Sequence, residues 1–269
     1  MQLGSNQNAL IGFTGFVGST LLKQAAFGSL YRSTNIDQIT GKSFDTVVCA
    51  GAPAQKWIAN REPNADRQNI EELITHLKAM TCKTFVLIST VDVFKNPIGV
   101  DEGTIIDETG LHAYGLHRHL LEKFVETHFP QHLIVRLPGL VGPGLCKNVV
   151  FDFLNDNELL TIESRSVLQF YPMVNLWGDI QTALKTPIKL IHLTSEPISV
   201  ADVSAQGFGK AFKHEQANKP AVYDMQTQYA EIFGASGRYQ YSRRETILAI
   251  RAYAQSEPRT LKVTQGANV

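Results

Sequence analysis

The feature that most constrains this chain is a glycine turn, Gly12-Phe-Thr-Gly15-Phe-Val-Gly18. It follows the apolar run Ala9 to Phe13 and opens a stretch, Phe16 to Ala26, whose Val17, Leu21, Leu22 and Ala25 fall on one helical side. Between a strand and a helix, the first glycine of such a turn permits the tight bend. The second lets a pyrophosphate approach the backbone, and the third lets helix and strand pack closely. The helix start adds unpaired N–H groups and a partial positive charge, both favourable to phosphate. Glycines also serve ordinary turns. With a strand before and a helix after, this one points to a dinucleotide cradle made by Gly12, Phe13, Thr14, Gly15, Phe16, Val17 and Gly18.

The first half of the chain keeps up that alternation. Short apolar runs at 29–33, 46–50, 84–88 and 132–137 read as strands. Between them lie helical faces, Ile70, Leu73, Ile74 and Leu77 within 69–80, and Leu116, Leu120, Leu121, Phe124 and Val125 within 115–129. Strands that are apolar throughout, rather than alternating, suit a parallel sheet covered on both faces. The predicted fold is α/β, a doubly wound parallel sheet of the Rossmann type with a small C-terminal substrate lobe. Residues 1–145 are expected to form the dinucleotide-binding domain, with later strands near 169–200 returning to it, and 146–168 with 201–269 the lobe. There, Ser199-Val-Ala-Asp202 predicts a capped helix reaching Phe212, and Ser242-Arg-Arg-Glu245 caps a helix over 246–254. Residues 146–168 and 213–241 read as loop-rich, and the tail from Gln255 has no pattern.

At 269 residues the chain can bury roughly 75% of its unfolded surface, so it needs no disulfide or metal staple. Cys49, Cys82 and Cys146 are far apart and odd in number, which fits a reducing cytoplasm and argues against structural zinc. His112, His117, His119, His128 and His132 crowd one stretch, but none forms the HExxH pattern of a zinc site on one helix face, so no metal is expected. Lys plus Arg (25) cancels Asp plus Glu (25), which speaks against nucleic acid or a membrane surface and for a small-molecule partner. The first residues carry no basic leader and no window approaches roughly 18 apolar residues, so a soluble cytoplasmic protein is expected.

About 20 residues beyond the first glycine, where an acidic group would hold the ribose hydroxyl of NAD, the chain has Tyr31-Arg32-Ser33. The planar fork of Arg32 suits the 2′-phosphate of NADP, although a surface arginine at a strand end reads nearly as well. The cofactor expected is NAD(P), leaning to NADP.

Further motifs follow in order: Val48-Cys-Ala-Gly-Ala52, Ser89-Thr-Val-Asp-Val-Phe94, Ala113-Tyr-Gly-Leu-His-Arg118 and Arg136-Leu-Pro-Gly-Leu-Val-Gly-Pro143. With the glycine turn, this series resembles the extended short-chain dehydrogenases/reductases, the NAD-dependent epimerase/dehydratase and dTDP-4-dehydrorhamnose reductase relatives. The resemblance is specific over 9–143 and looser through Leu176-Trp-Gly-Asp179. It implies that Ala50, Gly51 and Ala52 line the cofactor, that Pro138 lies near the nicotinamide, that Thr90 anchors the substrate oxygen, and that Tyr114 is the general acid/base. It further implies a nucleotide-sugar substrate and a homodimer paired through the helices at 69–80 and 115–129.

A phenol titrating near 10 needs a neighbouring cation before it can exchange protons usefully at neutral pH. In the family that cation is a lysine four residues after the tyrosine; here it is Arg118. Arginine supplies charge and donors toward a ribose but cannot release a proton, and His117 is a candidate to replace the relay. Two readings stand. One is an oxidoreductase, epimerase or dehydratase using Tyr114, Thr90 and Arg118; the other is a cofactor-binding regulatory protein with little turnover. Asp92 falls near an acidic position of the dehydratases, but Val91 occupies its acidic neighbour, so reduction or epimerisation fits better than dehydration. Arg243 and Arg244 read either as a diphosphate clamp or as a solvated helix start. The chain is also shorter than the family usually runs, and 31–46 leaves little room for the usual third strand and its helix.

Overall fold

Strand residues facing two ways need cover on two sides, and the sheet of this chain has it. A computed structural model describes residues 7–259. Its elements run β1 (Asn8–Ile11), α1 (Phe16–Gln24), β2 (Ser29–Tyr31), β3 (Ser43–Cys49), α2 (Lys56–Arg61), α3 (Pro63–Lys78), β4 (Thr81–Thr90), β5 (Ile98–Val100), α4 (Ala113–His128), β6 (His132–Leu137) and β7 (Gly139–Val141). Then come α5 (Val149–Asn155), β8 (Val167–Leu168), β9 (Phe170–Pro172), α6 (Leu176–Ala183), β10 (Leu190–His192), β11 (Ile198–Ser199), α7 (Val200–Asp202), β12 (Asp224–Met225) and α8 (Arg243–Ser256).

Six strands form one parallel sheet in the order β10-β6-β4-β3-β1-β2. Successive residues go to opposite cores. Val47, Phe85, Leu87 and Ile134 pack on Ile70, Leu73 and Leu77 of α3 and Leu121 and Val125 of α4. Val48, Val86, Leu133 and Val135 pack on Leu21 of α1 and Leu176, Ile180 and Ala183 of α6. This is the doubly wound α/β sheet expected of the apolar runs. The expectation about its short side also holds: among the described residues β2 is a three-residue edge strand with no neighbour beyond it, and a short turn, Ile36–Ile39, lies between it and β3.

A third core gathers Val141, Val150, Phe153, Phe170, Ile198, Val203, Ile247, Ile250 and Tyr253 beside the sheet. The Ser242–Glu245 pair forms the reciprocal capping box foreseen for α8. The helix after Ser199 is shorter than predicted: Ser199 caps α7, but the chain continues as a wide π turn over Val203–Gly207 and stops well before Phe212. Gly207 lies against Ile250, where a Cβ would come within 2.6 Å of a side-chain methyl, so α8 sets the path of this segment. Within 146–168, expected to be loop, Asn148 caps α5 by accepting from Val150 N–H at 2.9 Å. Helix α3 begins at Pro63, ahead of the predicted start, because proline's fixed φ suits a first turn. The patternless tail beyond residue 259 and the start of the expected leader-free N-terminus, 1–6, lie outside the described residues. Among the described residues no helix is long and apolar enough to cross a membrane.

Candidate active site

Because the sheet is parallel, β1, β3, β4 and β6 deliver the segments that follow them to one edge, and the residues singled out above sit there. Gly12 follows β1 with φ +83, its N–H donating to Tyr31 O at 2.8 Å. A Cβ on Gly12 would stand 2.3 Å from Ala50 O, and one on Gly18 would stand 2.1 Å from Gly12 O. Both glycines are therefore required by the chain's own backbone. Gly15 is different. Its φ of −74 is open to any residue, and a Cβ would meet only Gly12 O at an ordinary 3.5 Å. Nothing inside the protein requires glycine there, which leaves the open space in front of it as the reason.

That space faces the start of α1. Gly15 caps the helix without a side-chain hydrogen bond, and the first turn carries no acidic residue, so the leading N–H groups have no capping side chain. The side chains of Phe13, Phe16 and Val17 pack into the second core, leaving their backbone as what they offer at the turn. Thr14 and Gly15 are exposed. Ala50, Gly51 and Ala52 flank the turn at the end of β3, and buried Pro138 follows β6. Arg32 is exposed directly after the residue whose carbonyl receives the Gly12 N–H, in a turn closed by Arg32 N–H donating to Asn35 Oδ1 at 2.7 Å.

The next cluster is built where α4 meets the end of β4. Gly115 lies so close to Asp92 that a Cβ would fall 2.0 Å from its carbonyl oxygen, so a glycine lets the helix start approach β4. His112 caps that helix, its Nδ1 accepting from Gly115 N–H at 3.0 Å. Asn60 of α2 accepts the Tyr114 N–H at 3.0 Å. These restraints bring the Tyr114 phenol near the Thr90 hydroxyl, close enough for that hydroxyl to act on its acidity. Burial pushes the Tyr114 phenol up; Arg118 opposes, Asp92 adds to the rise, and Thr90 and Lys56 oppose, leaving it above its ordinary value.

Arg118 is 3% exposed and sits over Tyr114, its guanidinium carbon 4.0 Å from the ring centroid. Two of its nitrogens serve the protein, Nη1 reaching Asp66 Oδ2 at 2.5 Å and Nη2 the Pro53 carbonyl, while buried Nε has no partner among the described residues. His117, the candidate relay, is turned away to the same carboxylate, with Nδ1 2.7 Å from Asp66 Oδ2. The structure thus corrects the relay expectation: His117 orients Asp66 and does not face the phenol. The other clustered histidines are dispersed, His119 to Glu122 at 3.2 Å and His132 to Phe129 O at 2.6 Å. Among the described residues no three His, Cys, Asp or Glu side chains gather in a way that could hold a metal ion. Arg243 lies at the start of α8, donating to Pro197 O at 3.0 Å.

Two site residues escaped the sequence reading. Lys56 of α2 donates to Asp92 Oδ1 at 2.7 Å, and Tyr223 donates to the same oxygen at 3.2 Å. Tyr223 arrives because β12 pairs with β5, folding the 213–241 segment back over β4. Burial opposes the Lys56 charge, but Asp92 and Tyr223 outweigh it and hold the ammonium above its ordinary range. Burial and then Lys56 lower His112. Behind the cluster, Glu122 is fully buried and bound by Arg136 Nη2 at 2.7 Å and by the Ser89 hydroxyl at 2.5 Å.

No protein-family model matches the chain, and no curated protein matches it. Solved structures do. The dTDP-4-dehydrorhamnose reductase of Yersinia enterocolitica superposes with a TM-score of 0.70 at 16% identity, over 92% of this chain and 98% of that one. The same-named enzyme of Bacillus anthracis, in complex with NADP, gives 0.71 at 14% identity over 96% and 100%. The UDP-N-acetylglucosamine 4-epimerase of Methanobrevibacter ruminantium, in complex with UDP-N-acetylmuramic acid, gives 0.70 at 11% over 94% and 98%. At these identities the likeness speaks to architecture, and it agrees with the motif order: this chain has the fold of the extended short-chain dehydrogenases/reductases.

Proposed function

We propose that the chain is an NAD(P)-dependent oxidoreductase that reduces or epimerises a keto or hydroxy carbon of a nucleotide-sugar. The observation that carries this reading is the Thr90–Tyr114 hydroxyl pair set on the same sheet edge as an uncapped glycine turn. The fit to a dinucleotide rests on Gly15, whose absent side chain the protein itself does not need absent. Gly12 to Gly18, Ala50, Gly51, Ala52 and Pro138 would hold the cofactor, and when bound its nicotinamide supplies or takes a hydride. Thr90 would hold the substrate oxygen and Tyr114 move the proton at it, while the charge of Arg118 on the ring face opposes the cost of a buried phenolate. Arg32, exposed beside the turn, favours the phosphorylated cofactor.

The similar structures bound to NADP and to a UDP-sugar support the cofactor and substrate classes. The third core is proposed as the lobe that covers the sugar, and the outer faces of α3 and α4 as a homodimer contact, which light scattering measures. The enzyme reading is preferred to a regulatory one because both hydroxyls are in place. The test is a panel of nucleotide-sugars with all four nicotinamide dinucleotides: turnover is expected, and Tyr114→Phe abolishes it while changing cofactor affinity less than about threefold. Cofactor binding without turnover of any sugar, unchanged in Tyr114→Phe, supports the regulatory reading instead.

A further inference from the structure

A lysine four residues after a catalytic tyrosine would do two things: place a positive charge near the phenol and offer an exchangeable proton. Arg118 does the first. Its guanidinium lies on the Tyr114 ring at 4.0 Å, but it is tied to Asp66 and to the Pro53 carbonyl, and an arginine does not release a proton in a protein. The second duty has no owner on α4, since His117 is bound to Asp66.

A proton-bearing side chain nevertheless reaches this corner from another element. Lys56 and Asn60 are one turn apart on α2, hence on one helix face. Asn60 holds the Tyr114 N–H, and Lys56 reaches Asp92, whose own N–H donates to Thr90 Oγ1 at 3.2 Å. The Lys56 ammonium also stands 3.4 Å from the Tyr223 hydroxyl. Its side chain is 38% exposed, so it touches solvent while its ammonium is held by Asp92 and Tyr223 and acts electrostatically on His112 and Tyr114.

We propose that the two duties are divided here, Arg118 supplying the fixed positive charge and Lys56 the exchangeable proton that returns Tyr114 to its phenol form after each turnover. The inference rests on the oxidoreductase reading above. Once Tyr114 has given its proton to the substrate oxygen, a phenolate remains. Its O–H bond re-forms with a proton released when a Lys56 ammonium N–H bond breaks, carried by way of the Tyr223 hydroxyl that stands 3.4 Å from that ammonium; the neutral amine then takes a proton from water at its exposed end. No electrons move in this step. Asp92 and Tyr223 hold the lysine in place. Burial raises the phenol, and Asp92 and Tyr223 hold the ammonium up against its own burial, so both groups are displaced in the same direction.

Arginine at position 56 separates charge from proton supply. In steady-state turnover, Lys56→Met is expected to lower kcat by about a hundredfold, the usual scale of general acid–base assistance, with KM within about threefold. Lys56→Arg should remain as slow as Lys56→Met, and added small primary amines should restore part of the Lys56→Met rate. Full activity in Lys56→Met, or recovery in Lys56→Arg, overturns the proposal. A second readout needs neither cofactor nor turnover. With difluorotyrosine installed at position 114 and followed by fluorine NMR, Lys56→Met should raise the phenol midpoint by about one pH unit, Lys56→Arg should leave it unchanged, and Asp92→Asn should lower it. A midpoint indifferent to Lys56→Met overturns the proposal whatever the protein does. The expected shifts with no sugar turned over leave the Lys56–Tyr114 coupling intact and count against the substrate reading alone.

Discussion

Replacing Gly15 by alanine should separate cofactor binding from folding. The added methyl meets only Gly12 O, at 3.5 Å, and the backbone there, φ −74 and ψ 169, is open to alanine. Alanine caps a helix less well than glycine but leaves fewer conformations to lose on folding; the two effects oppose each other and leave stability within about 1 kcal/mol. For a chain of this size that is a Tm change of about 2–4 °C. The same methyl stands where a pyrophosphate would lie against the N–H groups of α1. Pushing the phosphate away by about an ångström loses at least one hydrogen bond to a charged group, about 1.5–3 kcal/mol, or at least tenfold in Kd. Gly18→Ala is the control. Its Cβ would stand 2.1 Å from Gly12 O, and overpacking of that kind costs about 1–3 kcal/mol or more, seen first as a fall in Tm. Fluorescence titration with NADPH and NADH, paired with thermal melts, reads both quantities. A Gly15→Ala protein that binds as tightly as wild type, or one that melts as early as Gly18→Ala, refutes the cradle.

Arg32→Ala should weaken NADP(H) by about tenfold, the worth of one charge-assisted contact, and leave NAD(H) unchanged; equal losses for both, or a loss confined to NAD(H), refute the preference. Glu122 is fully buried and, against the cost of that burial, Arg136, His119 and Ser89 hold its carboxyl at about 2, below the usual 4.5. A depressed acid stabilises the fold above its unfolded value and loses that contribution as pH falls through its folded value, so up to about 3 kcal/mol should disappear between about pH 4.5 and 2. Urea melts over this range should show a steep decline that Glu122→Gln flattens, its own stability being already reduced near neutral pH; parallel pH profiles for the two proteins contradict the assignment.

What could be read from the sequence was what local spacing encodes. The glycine turn, the apolar strands and the amphipathic faces of α3 and α4 each declare themselves within a dozen residues, and the short span 31–46 gave away the missing strand beyond β2. The order of motifs also singled out Thr90, at the end of β4, and Tyr114, at the start of α4. Lys56 was not. It lies on a six-residue helix between Pro53 and Pro63, too short to show a period, and its meaning depends on Asp92, 36 positions away. Tyr223 lay in a stretch with no pattern, placed by a two-residue pairing of β12 with β5. Asp66 carries no pattern of its own in the sequence, yet in the first turn of α3 it is 5% exposed. Only the approach of α4, with Arg118 and His117 both turned toward it, makes a buried carboxylate tolerable.

That last contact explains why position 118 holds arginine and what restoring a lysine would do. One planar guanidinium spans three groups here: Asp66 on α3, the Pro53 carbonyl before α2, and the face of Tyr114 on α4. An ammonium is a compact point charge on a flexible stem, and it cannot sit over a ring while reaching an acid on one side and a carbonyl on the other. Arg118→Lys would therefore not recreate a tyrosine–lysine pair of the kind the motif resemblance implies. With Asp66 still present, the lysine charge would be drawn to the carboxylate, leaving the half-buried Pro53 carbonyl without its partner at a cost of about 1 kcal/mol. The loop bearing Pro53 leads directly into α2, so loosening it should also blur the position of Lys56. Arg118→Lys is thus expected to lower Tm by several degrees and to reduce kcat, whereas an Asp66→Asn, Arg118→Lys double variant, which releases the new lysine from its acid, should recover part of the kcat. Higher turnover in Arg118→Lys alone, with no loss of Tm, would mean that the arginine is a defect in a lysine site; the three-way clamp around Asp66 predicts the opposite.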